Sequence, residues 1–179
     1  MPLHCVGILT SLSADTMPRC LPRLESSVQN AGIHRGVAMK LQELTTVSLA
    51  EHDLPQQIYI EAGCRRDLDE YLHPWLGPNP LSLADPQTVL ALGEAKPAGR
   101  TFLLPEHPHA DSETVNRLAD ILGDYPGVCA IGSGTINDIA KRACSIAGLP
   151  YVAVGTAASM NGYASGIAAI LDGGLKTTV

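Results

Sequence analysis

The residues best placed to do chemistry follow an apolar run at 128–131: Gly132, Ser133, Gly134, Thr135, Ile136, Asn137 and Asp138. A strand that runs into a glycine-rich turn and then a helix presents unpaired N–H groups and the positive end of the helix dipole. Glycine there lets a phosphate reach the backbone without meeting a Cβ. The arrangement suits a diphosphate. It equally suits a tight strand-to-helix turn with no ligand, because Asn137 stands where a dinucleotide fingerprint has its third glycine. Asp138 also has two readings. Thr135 and Asp138 have the spacing of a capping box, which predicts a structural cap. The alternative is a carboxylate at the floor of a cleft that binds a ligand hydroxyl. Lys141 and Arg142, one turn further on, are spaced to pair with Asp138 on the helix surface.

Such a turn needs a sheet beneath it. From residue 56 onward, strand-like and helix-like segments alternate: strands over 57–60, 81–84, 101–104, 128–131 and 151–154, helices over 65–76, 88–92 and 111–122. A further helix begins at the glycine turn, with Ile136, Ile139, Ala140, Ala143, Ile146 and Ala147 on one face and Gly148 as its stop. The runs at 128–131 and 151–154 lack polar alternation, as strands buried on both faces do. The pattern predicts an α/β fold, a Rossmann-like doubly wound parallel sheet. Residues 1–36 are rich in Ser, Pro and Arg, and 1–55 as a whole is a poorly assigned segment with no clear element, so the chain divides into that segment and a domain over 56–179. A hairpin around Gly173 and Gly174 is expected near the end. The last strand has no helix or tail after it, and the chain reads as cut off in mid-structure.

The net charge of −6 argues against nucleic-acid or anionic-membrane partners, which favour a basic face. No charge occurs between Arg142 and Asp172, but glycines, Pro150 and Asn161 break that stretch, so a buried strand and a ligand-lining loop fit better than a membrane span. Cys5, Cys20, Cys64, Cys129 and Cys144 follow no ligand spacing and read as reduced thiols of a cytoplasmic protein. No secretory signal opens the chain. His107 and His109 could touch one metal, but a surface loop explains them more simply.

Two segments together, IGSGTINDIAK at 131–141 and GLPYVAVGTAASMNGYAS at 148–165, resemble the glycerol-1-phosphate dehydrogenase family. That family belongs to a wider group with glycerol dehydrogenase, iron-type alcohol dehydrogenases and dehydroquinate synthase. The resemblance extends more loosely from Ile58 to Val179. It implies an N-terminal dinucleotide-binding domain and a helical C-terminal domain, with substrate and a divalent metal such as zinc or nickel in the cleft between them. It implies that Gly132, Ser133, Gly134, Thr135, Ile136, Asn137 and Asp138 hold the diphosphate of NAD. Thr156, Ala157, Ala158, Ser159 and Ser165 would contact the cofactor, with loop capping as the alternative for Thr156 and Ser159. Asp85 matches the acidic position that holds the adenosine ribose and disfavours the 2′-phosphate of NADP, although NADP stays open as a cofactor. Its alternative is a plain Asp-Pro turn. Asn161 stands at a substrate-contacting position where the family usually has Asp. The family's metal ligands, an Asp and two His, lie in the C-terminal domain, past Val179.

The activity implied is reversible hydride transfer between NAD and a polyol phosphate, glycerol 1-phosphate and dihydroxyacetone phosphate being the leading pair. This chain alone is expected to be inert. Two rivals stay open: a dehydroquinate synthase-like or glycerol dehydrogenase-like enzyme, and a non-catalytic nucleotide-binding module. Self-association into a homo-oligomer is also open.

Overall fold

The structure is a computed structural model that describes residues 5–10, 37–39, 57–61, 64–157 and 162–179. In chain order its elements are β1 (Cys5–Thr10), β2 (Val37–Met39), β3 (Gln57–Glu61), a 3-10 turn (Cys64–Asp67), α1 (Leu68–Leu76), β4 (Leu81–Ala84) and α2 (Pro86–Ala91). There follow β5 (Arg100–Leu103), α3 (Ser112–Ile121), β6 (Val128–Gly132), α4 (Gly134–Ala147), β7 (Tyr151–Gly155), β8 (Ala169–Asp172) and β9 (Leu175–Thr178).

Among the described residues seven strands form one sheet in the order β2-β3-β1-β7-β6-β4-β5. Every pairing is parallel except that of β2 with β3. β4, β6 and β7 are buried along their whole length, which is why their sequences are continuous apolar runs. Their side chains alternate between two cores. Leu81, Leu83, Val128, Ala130, Tyr151 and Ala153 pack against Val115 and Leu118 of α3 and Ile136, Ile139 and Ala143 of α4. Ala84, Cys129, Ile131, Val152 and Val154 face the other way, onto Leu68, Leu72 and Leu76 of α1 and onto Leu92. Helices on both faces of a mainly parallel sheet make the fold doubly wound, as expected.

Two expectations are corrected. The segment before residue 56, which offers no clear element in sequence, supplies β1 and β2, and β1 lies between β3 and β7. A short apolar run with no helix pattern after it carries no periodic signal; only its partners reveal it. The apolar face of α4 holds through Ala143, but Ile146 is 50% exposed and Ala147 is exposed. Fourteen helical residues span about 21 Å and a five-residue strand about 17 Å, so the last turn outruns the sheet below it. Gly148 ends α4 in the left-handed conformation, and Gly173 and Gly174 both take positive φ in the β8–β9 turn. A two-residue type I′ hairpin turn requires positive φ at both positions.

Candidate functional site

The strand order reverses its direction of winding between β4 and β6. From β4 the chain moves outward to β5 through α2, on the α1 side of the sheet; from β6 it moves the opposite way to β7 through α4, on the other side. β4 and β6 are neighbours, so their carboxyl ends flank the point where the winding reverses. Open α/β sheets bind ligands at such points. Asp85 follows β4, the 132–134 turn follows β6, and Thr156 follows β7. Three separate parts of the predicted site thus lie at one edge of the sheet.

The helix starts at this edge differ in how they are capped. Asp85 caps α2, its Oδ1 accepting from Thr88 N–H at 2.7 Å while Thr88 Oγ1 accepts from Asp85 N–H at 2.9 Å. Asp111 caps α3, accepting from Thr114 N–H at 2.7 Å. At α4 the cap position is Ser133, and its side chain makes no capping hydrogen bond. Ser133 thus leaves the first-turn N–H groups of α4 without a cap from its own side chain. Gly132 completes the turn by closeness: a Cβ there would lie 2.6 Å from Ile136 Cδ1 and 2.9 Å from Ile136 Cβ. The packing of the turn against its own helix thus requires glycine at 132.

The capping box expected from Thr135 and Asp138 does not form. α4 begins at Gly134, so Thr135 already lies inside the helix, and Asp138 sits in its second turn. Asp138 instead accepts a hydrogen bond from the backbone of Ala169 and faces Lys141, Nζ to Oδ1 at 3.7 Å. Burial raises its pKa above the ordinary carboxylate value, and Lys141 opposes the shift. Lys141 was expected on the helix surface but is 3% exposed. Its ammonium donates to Ile167 O at 2.8 Å and Gly162 O at 3.3 Å, because the chain after β7 folds over α4 and presents carbonyls to it. Asn137 Nδ2 also donates to Gly162 O, at 3.4 Å, and the buried Asn137 Oδ1 has no partner among the described residues.

Asp85 is 8% exposed and serves as the cap of α2 with Pro86 at the first helical position. A carboxylate offers about four acceptor positions, so a cap bond to Oδ1 leaves room for a ligand hydroxyl. Thr156 and Ala157 are partly buried, and Thr156 N–H donates to Gly132 O at 3.2 Å. Ser165 Oγ accepts from Ile167 N–H at 3.2 Å, a local loop bond. Ala158, Ser159 and Asn161 lie outside the described residues.

A cavity of about 460 Å³ opens beside the start of α4, lined by His109, Gly134, Thr135, Asp138, Leu171 and Lys176 among others. Sequence reasoning left out Lys176 and took His109 as a surface-loop residue; His109 is exposed. Only the folding of the β8–β9 hairpin towards α4 places Lys176 there. Among the described residues no three His, Cys, Asp or Glu side chains gather closely enough to hold a metal ion. No helix among the described residues is long and apolar enough to cross a membrane.

A family model described as iron-containing alcohol dehydrogenase matches residues 88–179. Glycerol-1-phosphate dehydrogenase (NAD(P)+) of Bacillus velezensis is 30% identical over 137 residues, 69% of this chain and 35% of that protein. The Bacillus licheniformis protein of the same name is 35% identical over 94 residues, 52% of this chain and 22% of its own length. The chain thus spans about a third or less of these relatives. Among solved structures, a probable glycerol dehydrogenase from Sinorhizobium meliloti superposes with a TM-score of 0.56 at 24% identity, over 66% of this chain and 34% of the other. At that identity the likeness is one of fold.

Proposed function

The chain belongs to the iron-containing alcohol dehydrogenase family, and from that premise we propose that the carboxyl edge of the sheet at β4 and β6 binds the dinucleotide NAD. The carrying observation is the contrast in caps: aspartates close the starts of α2 and α3, whereas Ser133 leaves the start of α4 open beside Gly132 and Gly134. In this reading the N–H groups of Ser133, Gly134, Thr135 and Ile136 take the diphosphate, favoured by the positive end of a 14-residue helix. Asn137 and Asp138, further along α4, tie the helix to the chain at Gly162 and Ala169 respectively. Asp85 takes the adenosine ribose, and its charge favours NAD over NADP.

In this reading, as the resemblance of the 156–165 segment implies, Thr156, Ala157, Ala158, Ser159 and Ser165 serve the cofactor and Asn161 serves the substrate. When bound, NAD supplies the hydride acceptor. The substrate we assign is a polyol phosphate, glycerol 1-phosphate against dihydroxyacetone phosphate, on the strength of the relatives' names and of the TAASMNGYAS segment at 156–165. A divalent metal is part of this reading for the whole protein.

Calorimetric titration of the chain with NAD, NADH and NADP tests the proposal. Saturable binding of NAD or NADH, weakened by NADP's extra phosphate, is the expected result. Absence of saturable binding by a chain with native circular dichroism would remove the dinucleotide reading.

A further inference from the structure

Tyr163 connects the two loops that the dinucleotide reading depends on. It lies in a 3-10 turn, Gly162–Ala164, with its ring in the core beside α4 and only 8% of the residue exposed. Its hydroxyl lies 3.1 Å from Gly132 O and 3.0 Å from Ala157 O. One phenolic proton thus serves two carbonyls, one on the glycine turn and one just past β7. Gly132 O also accepts from Thr156 N–H, so both its lone pairs have donors.

That double hold has a consequence on the other side of the peptide. In a planar trans peptide the C=O of Gly132 and the N–H of Ser133 point in opposite directions. Holding the carbonyl towards β7 and Tyr163 turns the Ser133 N–H the opposite way, to the β4 side of the turn. A free glycine peptide can rotate and carry that N–H away. We infer that Tyr163 is a positioning residue: its hydroxyl fixes the Gly132–Ser133 peptide plane so that the Ser133 amide is aimed at an anionic diphosphate. This rests on the dinucleotide reading above for its ligand, but the peptide orientation itself does not.

The test uses the ¹⁵N-labelled chain and Tyr163→Phe, which keeps the buried ring and removes only the hydroxyl. Inorganic pyrophosphate is the probe, with NAD in parallel. In the wild-type chain pyrophosphate is expected to shift the Ser133 amide together with the first-turn amides of α4. In Tyr163→Phe the Ser133 and Thr156 amides move even without ligand, and NAD affinity falls about five- to tenfold, the scale of one neutral hydrogen bond. Adenosine, which lacks the diphosphate, loses no affinity; a general loosening of the fold would weaken both ligands together. Unmoved Ser133 and Thr156 amides in Tyr163→Phe, or equal loss for adenosine and NAD, overturn the inference. A wild-type chain that does not bind NAD removes the cofactor reading but leaves the ligand-free amide comparison to decide the peptide orientation. If Tyr163→Phe does not fold, a wild-type Ser133 amide that ignores pyrophosphate while the α4 amides respond overturns it.

Discussion

Lys141 lies one helical turn after Asp138, and of the two it is the more deeply buried, its side chain 3% exposed against 16%. A nearly sealed ammonium holds its charge only because carbonyls and a carboxylate replace water. Here Ile167 O, Gly162 O and Asp138 do so, and the lysine thereby ties the loop after β7 to α4. Lys141→Met keeps the length of the side chain but withdraws the donors. It is expected to lower unfolding free energy by about 2–4 kcal/mol, the cost of leaving buried acceptors and one partner of an ion pair unmatched. Urea denaturation checks it. A loss below the precision of that measurement would mean that the loop holds itself.

The same pair sets a pH dependence. Burial raises the pKa of Asp138 in the folded chain, with Lys141 and the Ala169 amide pulling it back. A raised carboxylate is easier to protonate folded than unfolded, so its contribution is full below the ordinary value near 3.8 and fades as pH rises through the folded value. Removing Lys141 raises Asp138 further. The decline then extends to higher pH in Lys141→Met than in the wild type, and Asp138→Asn removes this part of the slope. Stability measured by urea from pH 4 to pH 7 in the three chains decides it. Parallel curves for Asp138→Asn and wild type would show that Asp138 is not the titrating group.

Gly132 faces Ile136 at a distance no Cβ tolerates, 2.9 Å to the branched Cβ and 2.6 Å to the more mobile Cδ1. Gly132→Ala therefore forces the turn or the first turn of α4 to move, at a cost of about 1–3 kcal/mol by the usual scale of overpacking. Ile136→Val removes the nearer atom but not the Cβ, so the double variant recovers part of the loss. Thermal melts of the two single variants and the double give the coupling. Strict additivity would place the strain elsewhere.

How much of this was legible in sequence depends on whether the signal is local. β4, β6 and β7 were readable because strands covered on both faces show unbroken apolar runs, and the hairpin because adjacent glycines supply the positive φ its turn needs. The helix after the glycine turn was readable, but its start was displaced: Ser133 is the cap, not Thr135, and a serine that caps nothing looks no different in sequence from one that does. β1 was invisible because its six residues acquire strand character from pairing with β3 and β7. Lys141 looked like a surface residue because the carbonyls that receive it come 21 and 26 positions later. The contact of Tyr163 with Gly132 spans 31 positions and has no local pattern at all.

Asp85 has two separable duties, and substitution can divide them. As a cap it accepts from Thr88 N–H; as a charge it favours a ribose with a free 2′-hydroxyl in the proposed site. Asp85→Ser keeps a capping oxygen and removes the charge, while Asp85→Ala removes both. Asp85→Ala is expected to cost about 1 kcal/mol of stability and Asp85→Ser less. In calorimetry both weaken NAD, and the ratio of NAD to NADP affinity falls in both. An unchanged ratio in Asp85→Ser would confine Asp85 to capping.

Cys129 sits at the centre of the sheet with no exposure, paired through β6 to both β4 and β7, and burial pushes its thiol up to about 12. Only the thiolate reacts appreciably with alkylating reagents, so in the native chain at pH 8 Cys129 is expected to escape iodoacetamide, as is the buried Cys144. Both are expected to label once urea unfolds the chain, and peptide mass spectrometry reads the difference. The sign on stability follows from the same shift. Unfolded, the thiol ionises near 9.0, whereas folded it holds its proton to about 12, so the unfolded state loses protons first and stability falls as pH rises between those values. The slope from this one group is about 1.4 kcal/mol per pH unit. Cys129→Ala, although less stable at neutral pH for want of the sulfur's packing, is therefore expected to show a flatter alkaline limb from pH 9 to pH 11. Rapid native labelling of Cys129, or an alkaline limb as steep in Cys129→Ala as in the wild type, would mean that the sheet opens at β6 far more readily than its complete burial indicates.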